Sequence, residues 1–301
     1  MNTTAPKIPD SLYKLMAEVG PVWGSAITRH SKLMVDGFSE ILVHAPKEGS
    51  VTRDIAYGAH PRHLLDVYVP KTAAGAPVVI FAHGGAFVNG AKNRNSEVYS
   101  NVCWYLVRNG VVGINMEYRL APEIKYPGAV EDVAAVVAWA RKNIREFGGD
   151  PEKIVLMGHS AGAAHMGCYA YDTNFHPPEG SGIRGFITVS GRVRIETLPD
   201  NPNAPKVVAY FGDDPALMER GSVVSHVSAD SVPTMIALAQ FENPLIDMHG
   251  AELFHRIAFV KRRAPRIVWL PKHNHNTAIS HLNTADERLG REILAFIQEG
   301  V

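Results

Sequence analysis

The chain has 301 residues, 46% of them hydrophobic and 20% charged, with 30 basic side chains against 30 acidic ones. That is globular composition with ample length for a large core, and the balanced charge argues against a nucleic-acid or anionic-membrane partner. Two cysteines, Cys103 and Cys168, at no metal-ligand spacing read as buried thiols in a reducing compartment. The first residues lack a basic and apolar leader pattern, and no run approaches the roughly 20 apolar residues that cross a bilayer. A soluble, cytoplasmic protein is expected, with monomer and homodimer both open.

In chain order, Leu12, Leu15, Met16 and Val19 fall at helical spacing behind Asp10 or Ser11 as cap, and Gly20-Pro21 ends the run. A second helix is expected over 31–43. Two such helices cannot bury their apolar faces alone, so residues 1–48 read as a small helical segment packed on a main domain, 49–301. That domain opens with strands at 51–57 and 64–69, expected as an antiparallel pair. Continuous apolar runs at 77–82 and 111–116 mark strands buried on both faces. Helices are expected at 96–109 and 128–147, and a strand at 154–157 leads into a helix over 163–171. Strands at 183–190, 233–240 and 266–270 follow, with helices near 248–260 and 286–298. This alternation predicts an α/β fold, a mostly parallel twisted sheet with helices on both faces. The stretch 192–232 is poorly periodic, and 207–211 is expected as a further strand.

The chemistry gathers where these strands end, which is where ligands sit in such sheets. Gly158-His159-Ser160-Ala161-Gly162 lies between a strand and a helix. A serine on so sharp a turn stands clear of the backbone, glycines on either side let strand and helix approach, and the Ala161 amide is free at a helix N-terminus. His83-Gly84-Gly85 follows the 77–82 strand, and its amides at Gly84 and Gly85 are candidate oxyanion donors. Pro271-Lys272-His273-Asn274-His275-Asn276 follows the last strand and supplies a general base, His275 or His273. His-x-His also fits a metal pair, but no acidic or cysteine partner stands at metal-ligand spacing, so no metal and no cofactor are expected. Glu242 is the first carboxylate beyond the 233–240 strand, with Asp247 behind it. Arg119, with Glu123 or Asp132, reads as a structural charge pair.

These motifs resemble the α/β-hydrolase superfamily, and within it the hormone-sensitive-lipase-like esterases, over roughly residues 50–300. The carriers are His83-Gly84-Gly85, Tyr118-Arg119-Leu120-Ala121-Pro122-Glu123, Gly149-Asp150-Pro151 and Gly158-His159-Ser160-Ala161-Gly162. The resemblance implies Ser160 as nucleophile, His275 as base, and an oxyanion hole from the amides of Gly84, Gly85 and Ala161. It also implies a cap built partly from the N-terminal segment. Three positions depart from the family pattern. Ala86 replaces the third glycine. His159 precedes the serine where these esterases mostly carry Asp; bacterial kynurenine formamidases are similar in showing Gly-His-Ser-Ala-Gly. Asn243-Pro244-Leu245 stands where Asp-Pro-Leu is frequent, so Glu242 is the expected acid.

The expected activity is hydrolysis of a small acyl or aryl ester through an acyl-enzyme on Ser160. An arylformamidase-type amide hydrolase is the second reading. A ligand-binding protein on a hydrolase fold is the third, and His275 argues against it.

Overall fold

The structure is a computed structural model that describes residues 4–299. The N-terminal segment forms α1 (Asp10–Val19), a 3-10 turn (Gly20–Ala26) and α2 (Ile27–Leu42). Next come β1 (Ser50–Ala56), β2 (Leu64–Val69), β3 (Ala76–Ala82), α3 (Ser100–Arg108), β4 (Val112–Met116) and α4 (Gly128–Asn143). The middle of the chain holds β5 (Gly149–His159), α5 (Ala161–Tyr171), β6 (Gly185–Val189), α6 (Ala204–Phe211) and α7 (Pro215–Arg220). The chain closes with β7 (Thr234–Phe241), α8 (Ile246–Lys261), β8 (Arg266–Asn274), α9 (Thr277–Ser280) and α10 (Arg288–Gln298).

The eight strands form one sheet in the order β1-β2-β4-β3-β5-β6-β7-β8. β1, β2 and β4 pair antiparallel, and every pairing from β4 through β3 to β8 is parallel. The central strands β3, β4 and β6 are buried almost throughout, which is why they are apolar without alternation. Two cores flank the sheet. One takes Ile80, Leu156 and Phe186 with α4, α5 and α8. The other takes Val79, Phe81 and Met157 with α3 and α10, and continues unbroken into Leu12, Met16, Trp23, Met34 and Phe38 of the N-terminal helices. The segment from Ile8 to Ala45 therefore shares a core with the sheet. It touches the sheet near the carboxyl ends of β7 and β8: a Cβ on Gly20 would meet the Phe241 ring at 2.4 Å, and Asn276 Nδ2 reaches Ser31 Oγ.

Two expectations fail. Residues 207–211 are not a strand but the last part of α6. A short apolar run carries no period of its own, and Pro205 in the first turn with Gly212 at the end were the usable signals. The last strand also runs four residues past Leu270, so His273 sits inside β8 and not on a loop.

Candidate active site

Ser160 joins β5 to α5 at φ +54° and ψ −119°, a strained conformation for a residue with a Cβ. The flanking glycines are required by contact. A Cβ on Gly158 would lie 2.5 Å from the Ala163 backbone, and one on Gly162 would lie 2.4 Å from the carbonyl oxygens of Ala82 and His83. The elbow is thus wedged against the end of β3, which carries the His83-Gly84-Gly85 loop.

His275 follows β8. Its Nδ1 lies 2.7 Å from Glu242 Oε2, with both side chains almost fully buried. Glu242 is itself anchored, because Oε1 accepts from Ser190 Oγ at 2.7 Å and from the Ala239 amide at 2.8 Å. The pairing of β7 with β8 is irregular between Ala239 and Phe241, and this break turns the strand end so that Glu242 faces His275. The His275 amide donates to the Phe241 carbonyl at 3.0 Å, closing the two strand ends together. Glu242 Oε2 accepts a hydrogen bond from the Nδ1–H of His275, which leaves Nε2 as the basic atom. Asp247 has another place: it is exposed and accepts from the Met248 amide in the first turn of α8. Asn243 accepts from Trp23 Nε1 at 2.8 Å and so holds the N-terminal segment.

His159 links the Ser160 turn to the backbone of His275. Its Nε2 donates to the His275 carbonyl at 3.0 Å, and the two rings lie 4.9 Å apart. Its Nδ1 then accepts from the Tyr99 hydroxyl at 3.2 Å, and that hydroxyl accepts from the Gly84 amide at 3.2 Å. Burial, and next the neighbouring His275, hold the His159 pKa well below the usual imidazole range, as this neutral arrangement requires. Of the three amides expected to face an oxyanion, Gly84 is therefore already engaged. Its carbonyl is fixed too, by His83 Nδ1 at 2.8 Å, while His83 Nε2 lies 2.7 Å from Glu117. The amides of Gly85 and Ala161 have no hydrogen-bond partner among the described residues. Gly85 needs its freedom: at φ +153° a Cβ would lie 1.7 Å from the Asn89 carbonyl.

Aromatic side chains cover the oxyanion loop. Phe87 is buried, stacks on Tyr210 at 5.4 Å and meets Phe211 edge-on at 5.2 Å, both from α6. Arg119 takes Asp132 as its partner, with Nε 2.8 Å from Oδ1, while Glu123 pairs with His60. Both cysteines are free and buried.

Residues 65–256, more than half of the chain, match the family model described as BD-FAE. The chain belongs to the BD-FAE family. It is 40% identical over 149 residues to the esterase LipC of Mycobacterium tuberculosis, covering 46% of this chain and 36% of that one. It is 33% identical over 184 residues to a probable isoprenylcysteine alpha-carbonyl methylesterase of Arabidopsis thaliana, covering 58% of this chain and 43% of the other. The chain thus spans between 29% and 61% of the length of these and similar curated relatives. Among solved structures, esterase B of Lactobacillus rhamnosis superposes with a TM-score of 0.74 at 21% identity, over 95% of this chain and 96% of that one. A Pyrobaculum calidifontis esterase gives 0.73 at 21%, over 97% and 98%. At such identity these matches establish the α/β-hydrolase fold. Among the described residues no helix is long and apolar enough to cross a membrane.

Sequence reasoning missed Tyr99 entirely. The helix expected from residue 96 begins only at Ser100, because Tyr99 has φ +81° and turns its ring toward Gly84 and His159. A tyrosine in a mixed polar and apolar stretch gives no sign of a partner 60 positions away. Linear spacing offered His273 no acidic or histidine partner apart from His275. His281 and Asp286 do come beside His273, their ligand atoms all within 4.8 Å of one another. Spacings of 8 and 13 residues brought together by α9 follow no linear metal motif.

Proposed function

We propose that this chain is a serine hydrolase that cleaves small acyl or aryl carboxylic esters. The observation that carries the reading is the buried His275–Glu242 pair, with the backbone carbonyl of His275 tied to His159, the residue next to a strained Ser160. Ser160 Oγ attacks the ester carbonyl as His275 Nε2 takes its proton, and Glu242 balances the imidazolium. The amides of Gly85 and Ala161 stabilise the tetrahedral oxyanion. His275 then protonates the leaving alcohol, and water repeats the sequence in reverse to free the acid. Curated relatives named as esterases and methylesterases support ester hydrolysis. The aromatic cover from α6 and the N-terminal segment beside β7 and β8 favour a small substrate, with residues 1–48 as part of the cap.

The test is a panel of nitrophenyl acyl esters set against N-formylkynurenine, with fluorophosphonate labelling of wild type and Ser160→Ala. Short-chain esters are expected to be the best substrates and labelling to require Ser160. Preferred turnover of the formamide would move the assignment to an amidase. Failure to label a folded wild type would overturn the nucleophile.

A further inference from the structure

We propose that His273, His281 and Asp286 form a binding site for one borderline divalent ion of the Zn²⁺ class, placed behind the strand end that carries His275. The site lies outside the hydrolytic reading above, which needs no metal.

Three observations point to a ligand. The first is an orphan atom. His281 is fully buried, its Nδ1 donates to the Thr277 carbonyl at 2.7 Å, and its Nε2 has no partner among the described residues. That bond fixes the tautomer, so Nε2 presents a lone pair to the inside of the cluster. A buried acceptor without a donor is costly, and a cation removes the cost. The second is the donor set. His273 Nε2 lies 3.2 Å from Asp286 Oδ2, and all three ligand atoms are within 4.8 Å. An ion bound at ~2.1 Å from tetrahedral ligands needs them roughly 3.4 Å apart. The His273–Asp286 pair is already that close, and side-chain rotation brings in the third. Two imidazoles and one carboxylate suit Zn²⁺, with water in the fourth position. The third is orientation from behind. The hydroxyl of Thr277, a fully buried residue, lies 3.2 Å from His273 Nδ1, so one residue positions both rings. Asp286 is half-buried and gives the ion a route in.

A plain His273–Asp286 ion pair with His281 beside it explains the 3.2 Å contact but leaves His281 Nε2 unpaired. Binding would replace the proton shared with Asp286 and fasten β8, α9 and the segment before α10 to one centre. The ion would thereby brace the mount of the base without touching substrate.

The experiment uses the full chain, dialysed against chelator and titrated with Co²⁺ and then Zn²⁺. Expected are a visible absorption of four-coordinate Co²⁺ that saturates at one equivalent and is displaced by Zn²⁺, and a melting midpoint raised several degrees by Zn²⁺. Asp286→Asn, which keeps the side chain's size at a half-buried position and is checked for folding by circular dichroism, should abolish both signals, and His281→Gln should do the same. Ser160→Ala should keep both, so the result is independent of whether the esterase reading holds. No Co²⁺ spectrum in the wild type, or signals that persist unchanged in Asp286→Asn, would overturn the site.

Discussion

Replacing Glu242 by glutamine tests the triad at its most informative atom. The side chain keeps its size, but one oxygen becomes a donor. Glu242 faces three donors: Ser190 Oγ and the Ala239 amide at Oε1, and His275 Nδ1 at Oε2. With the amide oxygen toward His275, its NH2 confronts the Ala239 N–H, and a buried hydrogen bond is lost at about 1–3 kcal/mol. With the NH2 toward His275, Ala239 is satisfied but Nδ1 must accept. The proton then moves to Nε2, and the imidazole can no longer serve as base. Either orientation removes the charge that offsets the imidazolium. The expected fall in kcat is about 10⁴-fold, the scale of an analogous acid-to-amide change in a serine protease. The assay is kcat and KM on a short nitrophenyl ester, with a melting curve beside it. Asp247→Asn is the control, expected within a few-fold of wild type because Asp247 only caps α8. A Glu242→Gln enzyme that turns over near the wild-type rate would refute the charge argument. Collapse of Asp247→Asn would mean the wrong carboxylate was chosen.

Three further outcomes are expected. Tyr99→Phe should lower kcat about tenfold with KM little changed, since Gly84 N–H and His159 Nδ1 lose their shared partner; unchanged kcat would show that the link is only structural. Asn243→Ala should spare kcat and cost about 1–2 kcal/mol in unfolding free energy, because Trp23 Nε1 loses its acceptor; a collapse of activity instead would make Asn243 part of the triad. His165 is buried against Phe87, Tyr118 and Tyr210, and burial followed by the nearby His83 pushes its pKa down to about 3. The unfolded chain binds that proton below pH ~6.5 and the folded chain does not, so each pH unit from there toward 3 removes about 1.4 kcal/mol of stability. His165→Met should lower the slope of unfolding free energy against pH by one proton in that window; an unchanged slope would sink the account.

Local signals carried much of the fold. The apolar runs of β3, β4, β5 and β6 were visible because strands buried on both faces cannot alternate, and Gly158 and Gly162 announced the elbow because no other residue fits there. Glu242 could be named from its position just past β7, although the irregular pairing that turns it toward His275 is a property of two strands together. Long-range partners left no trace. Tyr99 meets Gly84 and His159 through the sheet, and His281 and Asp286 reach His273 only after α9 has folded back. The α6 region was illegible for a different reason: its apolar residues pack on Phe87 and Tyr126 from a short helix with too few turns to show a period.

The histidine before the nucleophile changes how this site is held together. An aspartate at position 159 would bring a negative charge within reach of the Tyr99 hydroxyl and the His275 carbonyl, and could donate to neither while ionised. A neutral imidazole does both tasks at once, accepting from Tyr99 and donating to His275. It needs no counter-ion in a fully buried place, and its low pKa keeps it neutral. One hydrogen-bonded path then runs from the loop at Gly84, through Tyr99 and His159, to the backbone of His275. Glu242 fixes the His275 ring itself, through Nδ1. His275 is thus held at its backbone and at its ring by groups that do not depend on substrate, so in the proposed mechanism little reorganisation remains when the oxyanion forms. This arrangement also limits what the chain tolerates. A change at Tyr99 or His159 alters the placement of the oxyanion loop and the base together, so their effects on kcat should be less than additive in a double mutant, whereas changes at Asn243 and Tyr99 should add.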